Sequence, residues 1–229
     1  KLVALKPDVV FLYGLTGKNA VTDKLHELGL KTVYIGDYVE NNPLGRAEWI
    51  TVFGEFTGRR ELARTLFDSI SNEYNRAKAL VSGVEKRPEV MLNAPWQDSW
   101  FVPGDRSYMV RLLEDAGGNY ACRGVDSDQS RPISTETAFV AASQSDFWLS
   151  PGTVTSLAEL NAMNPRFGSI PPVRNGNVYN NNARTTPEGG SDFWESGVLR
   201  PDRVLADLVH IFHPELSETD ELYYYRQLE

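Results

Sequence analysis

The chain is poor in cysteine, histidine and positive charge. Among 229 residues there is one cysteine, Cys122, and three histidines, His26, His210 and His213. A single thiol excludes an internal disulfide and a multi-cysteine metal site, without placing the chain in a redox compartment. His210 and His213 stand three apart, but Pro214 follows them, so they read as a helix end rather than a metal pair. Lys plus Arg is 23 against 31 for Asp plus Glu, a formal net charge of -8. That disfavours a nucleic-acid binder, which needs a basic surface to neutralise phosphates. No segment approaches the ~18 consecutive apolar residues that would cross a bilayer as a helix. Charged residues at 24% and hydrophobic residues at 41% exclude wholesale disorder. At about 150 residues per domain, the length suits one large domain or two lobes.

What is present is an alternation of strand-like and helix-like segments. Val9–Tyr13 is a continuous apolar run ended by Gly14, the pattern of a buried parallel strand. Asn19–Leu28 has helical apolar spacing with Gly29 as its cap, and Lys31–Ile35 is a second strand. Strand, helix, strand at this spacing is a βαβ unit. Asp37–Gly45 reads as a loop with Asn41-Asn42-Pro43 as breaker, and Ala47–Phe56 as a helix. From Arg59 to about Val84 one helical stripe runs through Leu62, Leu66, Ile70, Tyr74, Ala77 and Leu80. Beyond Pro88 strands are expected at Glu89–Ala94, Ser99–Val102, Asp146–Leu149 and Asn177–Asn181, with Trp96-Gln97-Asp98 as a loop. Helices are expected at Ser107–Ala116, Ser134–Ala142, Leu157–Met163 and Pro201–Phe212. The tail Leu222–Leu228, with its three consecutive tyrosines, is expected to pack back on the body. Aligning Asp8 with Asp146 also brings Ala4 onto Ala142 and Gly14 onto Gly152, an internal echo that favours two α/β lobes joined by one long helix.

Leu5-Lys6-Pro7-Asp8-Val9-Val10, followed by Leu28-Gly29-Leu30-Lys31-Thr32-Val33, resembles the first lobe of the helical-backbone substrate-binding proteins of ABC importers. These are the class that carries iron-siderophores, haem and cobalamin. The 59–84 helix is similar to their inter-lobe helix. Asp115-Ala116-Gly117-Gly118-Asn119 and Ala142–Leu149 resemble their second lobe. Val178–Asn182, Asp192–Gly197 and Arg200-Pro201-Asp202 resemble a subgroup of iron-complex binding proteins. The family's opening strands should stand ahead of Lys1. Helical Leu2–Leu5 running into the strand-like Asp8–Leu12 reads the same way, as a cut with sequence missing upstream. A missing signal peptide is therefore uninformative.

The resemblance implies an α/β fold of two Rossmann-like lobes, divided as 1–58 for the remainder of the first, 59–84 for the connecting helix and 85–229 for the second. It implies a non-enzymatic receptor that binds an iron or cobalt chelate between the lobes. The receptor would act as a monomer, at a periplasmic or lipid-anchored envelope face, and deliver the chelate to an ABC permease. Open α/β sheets bind ligands beyond the carboxyl ends of their strands. The residues just after the strands are therefore the candidates: Tyr13, Trp96, Trp100, Phe101, Arg106, Tyr179 and Arg184, with Trp194 on a neighbouring loop. Aromatics suit a planar or catecholate ligand, and arginines suit anionic chelates. Glu136 matches the family's second-lobe glutamate that docks to permease arginines; its counterpart by the internal echo falls before residue 1. The plain alternative is a glutamate favouring a helix N-terminus. No phosphate-cradling Gly-rich loop or Gly-x-Ser-x-Gly elbow is present, so no catalytic residue, resident cofactor or protein-held metal is expected. A chelatase-like enzyme on a related fold, and a ligand sensor without a transport partner, are the alternatives.

Overall fold

The computed structural model describes residues 2–14, 20–97, 99–218 and 220–229. It divides into two compact units, residues 1–40 and 41–229.

The smaller unit comprises α1 (Leu2–Leu5), β1 (Val10–Tyr13), α2 (Ala20–Glu27) and β2 (Thr32–Ile35). The strands pair in parallel, with Val10 opposite Thr32 and Tyr13 opposite Ile35. This is the expected βαβ unit; Asn19, the anticipated helix start, lies outside the described residues. Among its described residues Leu25 and Ile35 are the buried hydrophobic side chains, while Leu5, Val21 and Leu28 stay exposed.

The larger unit opens with α3 (Pro43–Phe56) and α4 (Arg60–Leu80). Asn41-Asn42-Pro43 is a helix start rather than a breaker: Asn42 Oδ1 accepts from the Leu44 N–H at 3.0 Å, and proline occupies the first turn, where its missing N–H costs nothing. The long helix is unbroken from 60 to 80, and a turn at Val81–Gly83 ends it before the expected 84. It buries Ala63, Ile70, Tyr74 and Ala77. A side chain on Gly54 would run into Ala63, so the glycine lets α3 and α4 approach closely. That packing places α3 in the larger unit, and the unit boundary falls after Glu40 rather than after residue 58.

Then follow β3 (Glu89–Leu92), β4 (Pro95–Trp96), β5 (Ser99–Val102), α5 (Tyr108–Asp115), β6 (Asn119–Tyr120), β7 (Arg131–Ser134), α6 (Thr135–Ser143) and β8 (Phe147–Leu149). The chain closes with α7 (Leu157–Met163), α8 (Pro171–Arg174), β9 (Val178–Asn180), α9 (Ser196–Leu199), α10 (Pro201–Phe212) and β10 (Arg226–Gln227). The main sheet has the order β10-β9-β8-β3-β6, parallel except for the antiparallel edge β10. A second, antiparallel sheet has the order β4-β5-β7. Trp96 therefore belongs to a hairpin strand rather than a loop, and β7, with a proline inside it, escaped the sequence pattern. Asp98 lies outside the described residues.

Tyr74 donates to Asp115 Oδ2 at 2.7 Å and Lys78 reaches Asp115 Oδ1 at 2.8 Å, tying α4 to the end of α5. Asp146 braces the start of β3, its Oδ2 accepting from the Glu89 N–H at 2.9 Å. The tail folds back as expected. The buried Asp207 carboxylate accepts the N–H groups of Tyr223, Tyr224 and Tyr225 at 2.8, 2.7 and 3.0 Å.

Candidate functional site

In the larger unit, the segments leaving the carboxyl ends of β3 and β9 carry most of the candidate residues. These strands stand two places apart in the sheet, about 9–10 Å. The turn after β3 is built on Asn93, which adopts a positive φ of 64°. Its side chain donates to the Phe101 carbonyl at 2.9 Å, and its own carbonyl accepts from the Trp148 indole at 2.6 Å. This aims the β4–β5 hairpin.

The hairpin's register separates its aromatics. Trp96 pairs with Ser99, Phe101 with Pro132, and Ser99 with Ser134, so these five side chains share one face. Trp96 is 70% exposed and Phe101 42% exposed there. Trp100 and Val102 point the other way and are fully buried. The Trp100 indole donates to the Leu92 carbonyl at 3.0 Å, and its ring packs 5.3 Å from Trp148 and 6.0 Å from Phe167. Trp100 is thus a core residue with no surface to offer a ligand, because period-2 alternation turns it inward.

Tyr179 differs from Trp100: it is half-buried, on the face of β9 opposite the buried Val178 and Asn180. It lies within β9 rather than after it, packed 6.3 Å from Phe147, and burial raises its hydroxyl pKa. Arg106 is exposed and paired with Asp126 at 3.2 Å. The 181–195 loop holds the remaining candidates. Trp194 is exposed, with its ring 4.8 Å from the buried Phe193. Arg184 donates from Nε to Asp192 at 3.3 Å and lies over the Tyr223 ring. The Ser196 hydroxyl and Arg184 hold the Asp192 carboxyl below the usual carboxylate range.

Glu136 is exposed in the first turn of α6, two residues after Ser134, whose hydroxyl caps the helix by accepting from the Thr137 N–H at 3.1 Å. It lines an open groove of about 620 Å³ with Pro95, Gln97, Ser134, Met163 and Asn164. Pro95 and Gln97 flank Trp96, so the hairpin links this groove to the aromatic face.

In the smaller unit, Tyr13 ends β1 and is 70% exposed. Its ring stands 5.8 Å from that of Tyr38, three residues beyond β2. Both mark the carboxyl edge of the parallel pair. Sequence reasoning missed Tyr38, although the rule that singled out Tyr13 applies equally to the second strand. It also missed Tyr223 and Arg203, whose meeting joins residues from two separate elements.

No helix among the described residues is long and apolar enough to cross a membrane, and no group of three or more His, Cys, Asp or Glu among them is placed to hold a metal. Cys122 is buried and its thiol pushed up to about 11 by desolvation, which makes it unreactive.

Comparison with known proteins agrees with this architecture. An uncharacterized lipoprotein of Methanocaldococcus jannaschii is 28% identical over 218 residues, covering 94% of this chain and 50% of the relative. The chain spans about half the length of the curated relatives it matches. Among solved structures, a periplasmic heme binding protein from Pseudomonas aeruginosa superposes with a TM-score of 0.72 at 18% identity, covering 100% of this chain and 79% of that one. A possible iron-binding, periplasmic solute-binding protein from Staphylococcus epidermidis gives 0.69 at 19% identity, covering 92% and 78%. These likenesses show the two-lobed α/β fold. The profile of the periplasmic binding protein family matches residues 1–185. The chain belongs to the periplasmic binding protein family, a family of solute-binding proteins rather than enzymes.

Proposed function

We propose that this protein is the receptor for a metal chelate in an ABC import system: it captures an iron or cobalt complex and hands it to a membrane permease at the cell envelope. The observation that carries the reading is the aromatic face of the β4–β5–β7 sheet. Trp96 and Phe101 stay exposed on a hairpin that leaves a parallel strand at its carboxyl end, in a chain of a solute-binding family. Large exposed aromatics are costly to leave in water and suit a planar or catecholate ligand. Similar structures named for heme and iron support the ligand class.

Glu136 is the docking acid of this proposal. It is exposed, and its groove is open to a partner's arginine. The test is a titration of the full-length protein with haemin, ferric siderophores and cobalamin, together with permease-dependent uptake. Trp96→Ala should weaken binding of the cognate chelate by about 1 kcal/mol or more, the scale of a buried contact. Glu136→Ala should leave that affinity intact and lower uptake, most visibly at low salt. Equal uptake by Glu136→Ala and the parent would favour a sensor over a transport receptor. Failure to bind any chelate would defeat the reading.

A further inference from the structure

The loop after β9 carries an arginine fixed from two sides. The Arg184 guanidinium carbon lies 4.4 Å from the centroid of the Tyr223 ring, and its Nε donates to Asp192 Oδ2 at 3.3 Å. Asp192 is itself held: the Ser196 hydroxyl donates to the same oxygen at 2.9 Å and lies 2.9 Å from the Tyr224 hydroxyl. A second guanidinium, that of Arg203 on α10, lies 4.3 Å from the same Tyr223 centroid. The ring is set by its own backbone, whose N–H is anchored on the buried Asp207.

Among the described residues these contacts leave the two Nη nitrogens of Arg184, and the whole Arg203 head group, without a hydrogen bond or ion pair. Arg200, next to them in sequence, differs: its Nε and Nη2 are both committed to Asp202, at 2.9 and 2.6 Å. An arginine that only braces the fold directs its fork inward, as Arg200 does. Arg184 is instead braced by its Nε and its flat face, and the planar pair of Nη donors that matches a carboxylate is left over.

We infer that Tyr223 and Asp192 are positioning residues that hold Arg184, with Arg203 beside the same ring, as a receptor for an anionic chelate bearing carboxylate groups. The inference rests on the chelate-receptor reading and narrows its ligand class. Exposed aromatics alone accept neutral, cationic and anionic complexes, so the arginines set the charge of the ligand. The overall charge of -8 is no obstacle, because a fork at contact range acts locally while distant charges are screened within about 8 Å at physiological salt.

The experiment titrates the full-length protein with ferric citrate and haemin, which carry carboxylates, and with ferrioxamine B and cyanocobalamin, which do not. Ferric citrate or haemin should bind best. Arg184→Ala should cost about tenfold in affinity for that ligand, the loss expected for charge-assisted hydrogen bonds. Tyr223→Leu should cost about fivefold by releasing the stacked guanidinium, and Tyr223→Phe, which keeps the ring, should stay within about twofold. Rescue by phenylalanine separates positioning from a general loss of packing, and a thermal melt of each variant confirms that it is folded. Preference for ferrioxamine B or cyanocobalamin overturns the arginine receptor and leaves the chelate-receptor reading standing. An anionic chelate bound equally by parent, Arg184→Ala and Tyr223→Leu overturns it as well. Binding of none of the four removes the reading beneath it and the inference together.

Discussion

The two compact units are built on the same local grammar and reach different outcomes. Each has parallel strands with helical crossovers, and the echo of Ala4, Asp8 and Gly14 in Ala142, Asp146 and Gly152 falls in both on a helix end, a strand approach and a positive-φ glycine. In the smaller unit the grammar yields a parallel strand pair with a crossover helix, and among its described residues the buried hydrophobic side chains are Leu25 and Ile35. In the larger it yields a five-stranded sheet with helices packed on it and a continuous core from Tyr74 to Leu228. Local pattern thus specifies the element, and the number of elements stacked together decides whether burial outweighs chain entropy.

Separating the units should break this comparison most visibly. A peptide of residues 1–40 should show no cooperative melt by circular dichroism, because a two-stranded sheet is marginal in water. Residues 41–229 should melt cooperatively. A sharp transition in the short peptide would contradict the comparison.

A pair of tryptophans four positions apart sharpens it within the larger unit. Trp100→Ala should destabilise by about 3–5 kcal/mol in denaturant, the cost of emptying a buried aromatic site. Trp96→Ala should change stability by no more than about 0.5 kcal/mol, as an exposed substitution does. Equal losses would mean that the hairpin register is wrong.

These two residues also mark how far the sequence could be read. The βαβ unit, the long helix, the parallel strands and the returning tail were legible because each is a periodic pattern within one segment. Trp96 and Trp100 look alike in a linear string, since facing is set by the register of β4 on β5 and of β5 on β7, and Pro132 hides the β7 strand pattern. The same holds for Tyr223. Three tyrosines in a row announce packing, but only the fold brings Arg184 and Arg203 to one of them. The helix start that carries Glu136 was legible because a Ser cap is a local signal; its docking role rests on the family resemblance alone.

A smaller effect is expected at the tail clamp. Asp207→Asn should cost about 1–3 kcal/mol, because the amide cannot accept all three backbone N–H groups. Burial is the leading cause that raises the Asp207 pKa above its ordinary value, so the folded chain holds this proton more tightly than the unfolded one. Its contribution is fully present below the unfolded carboxylate pKa of about 4 and is lost as pH rises through the raised folded value. The stability advantage of the parent over Asp207→Asn should therefore shrink as pH rises above about 4. An advantage that grows would reverse the sign and contradict the assignment.

Native ligand identification tests most directly whether this binding protein takes a metal chelate. The full-length protein is purified from its source without added ligand, and the bound species is identified by native mass spectrometry with metal analysis. One iron or cobalt complex per chain, released on unfolding, is the expected result. A stoichiometric ligand without metal, such as a sugar or a peptide, would contradict it.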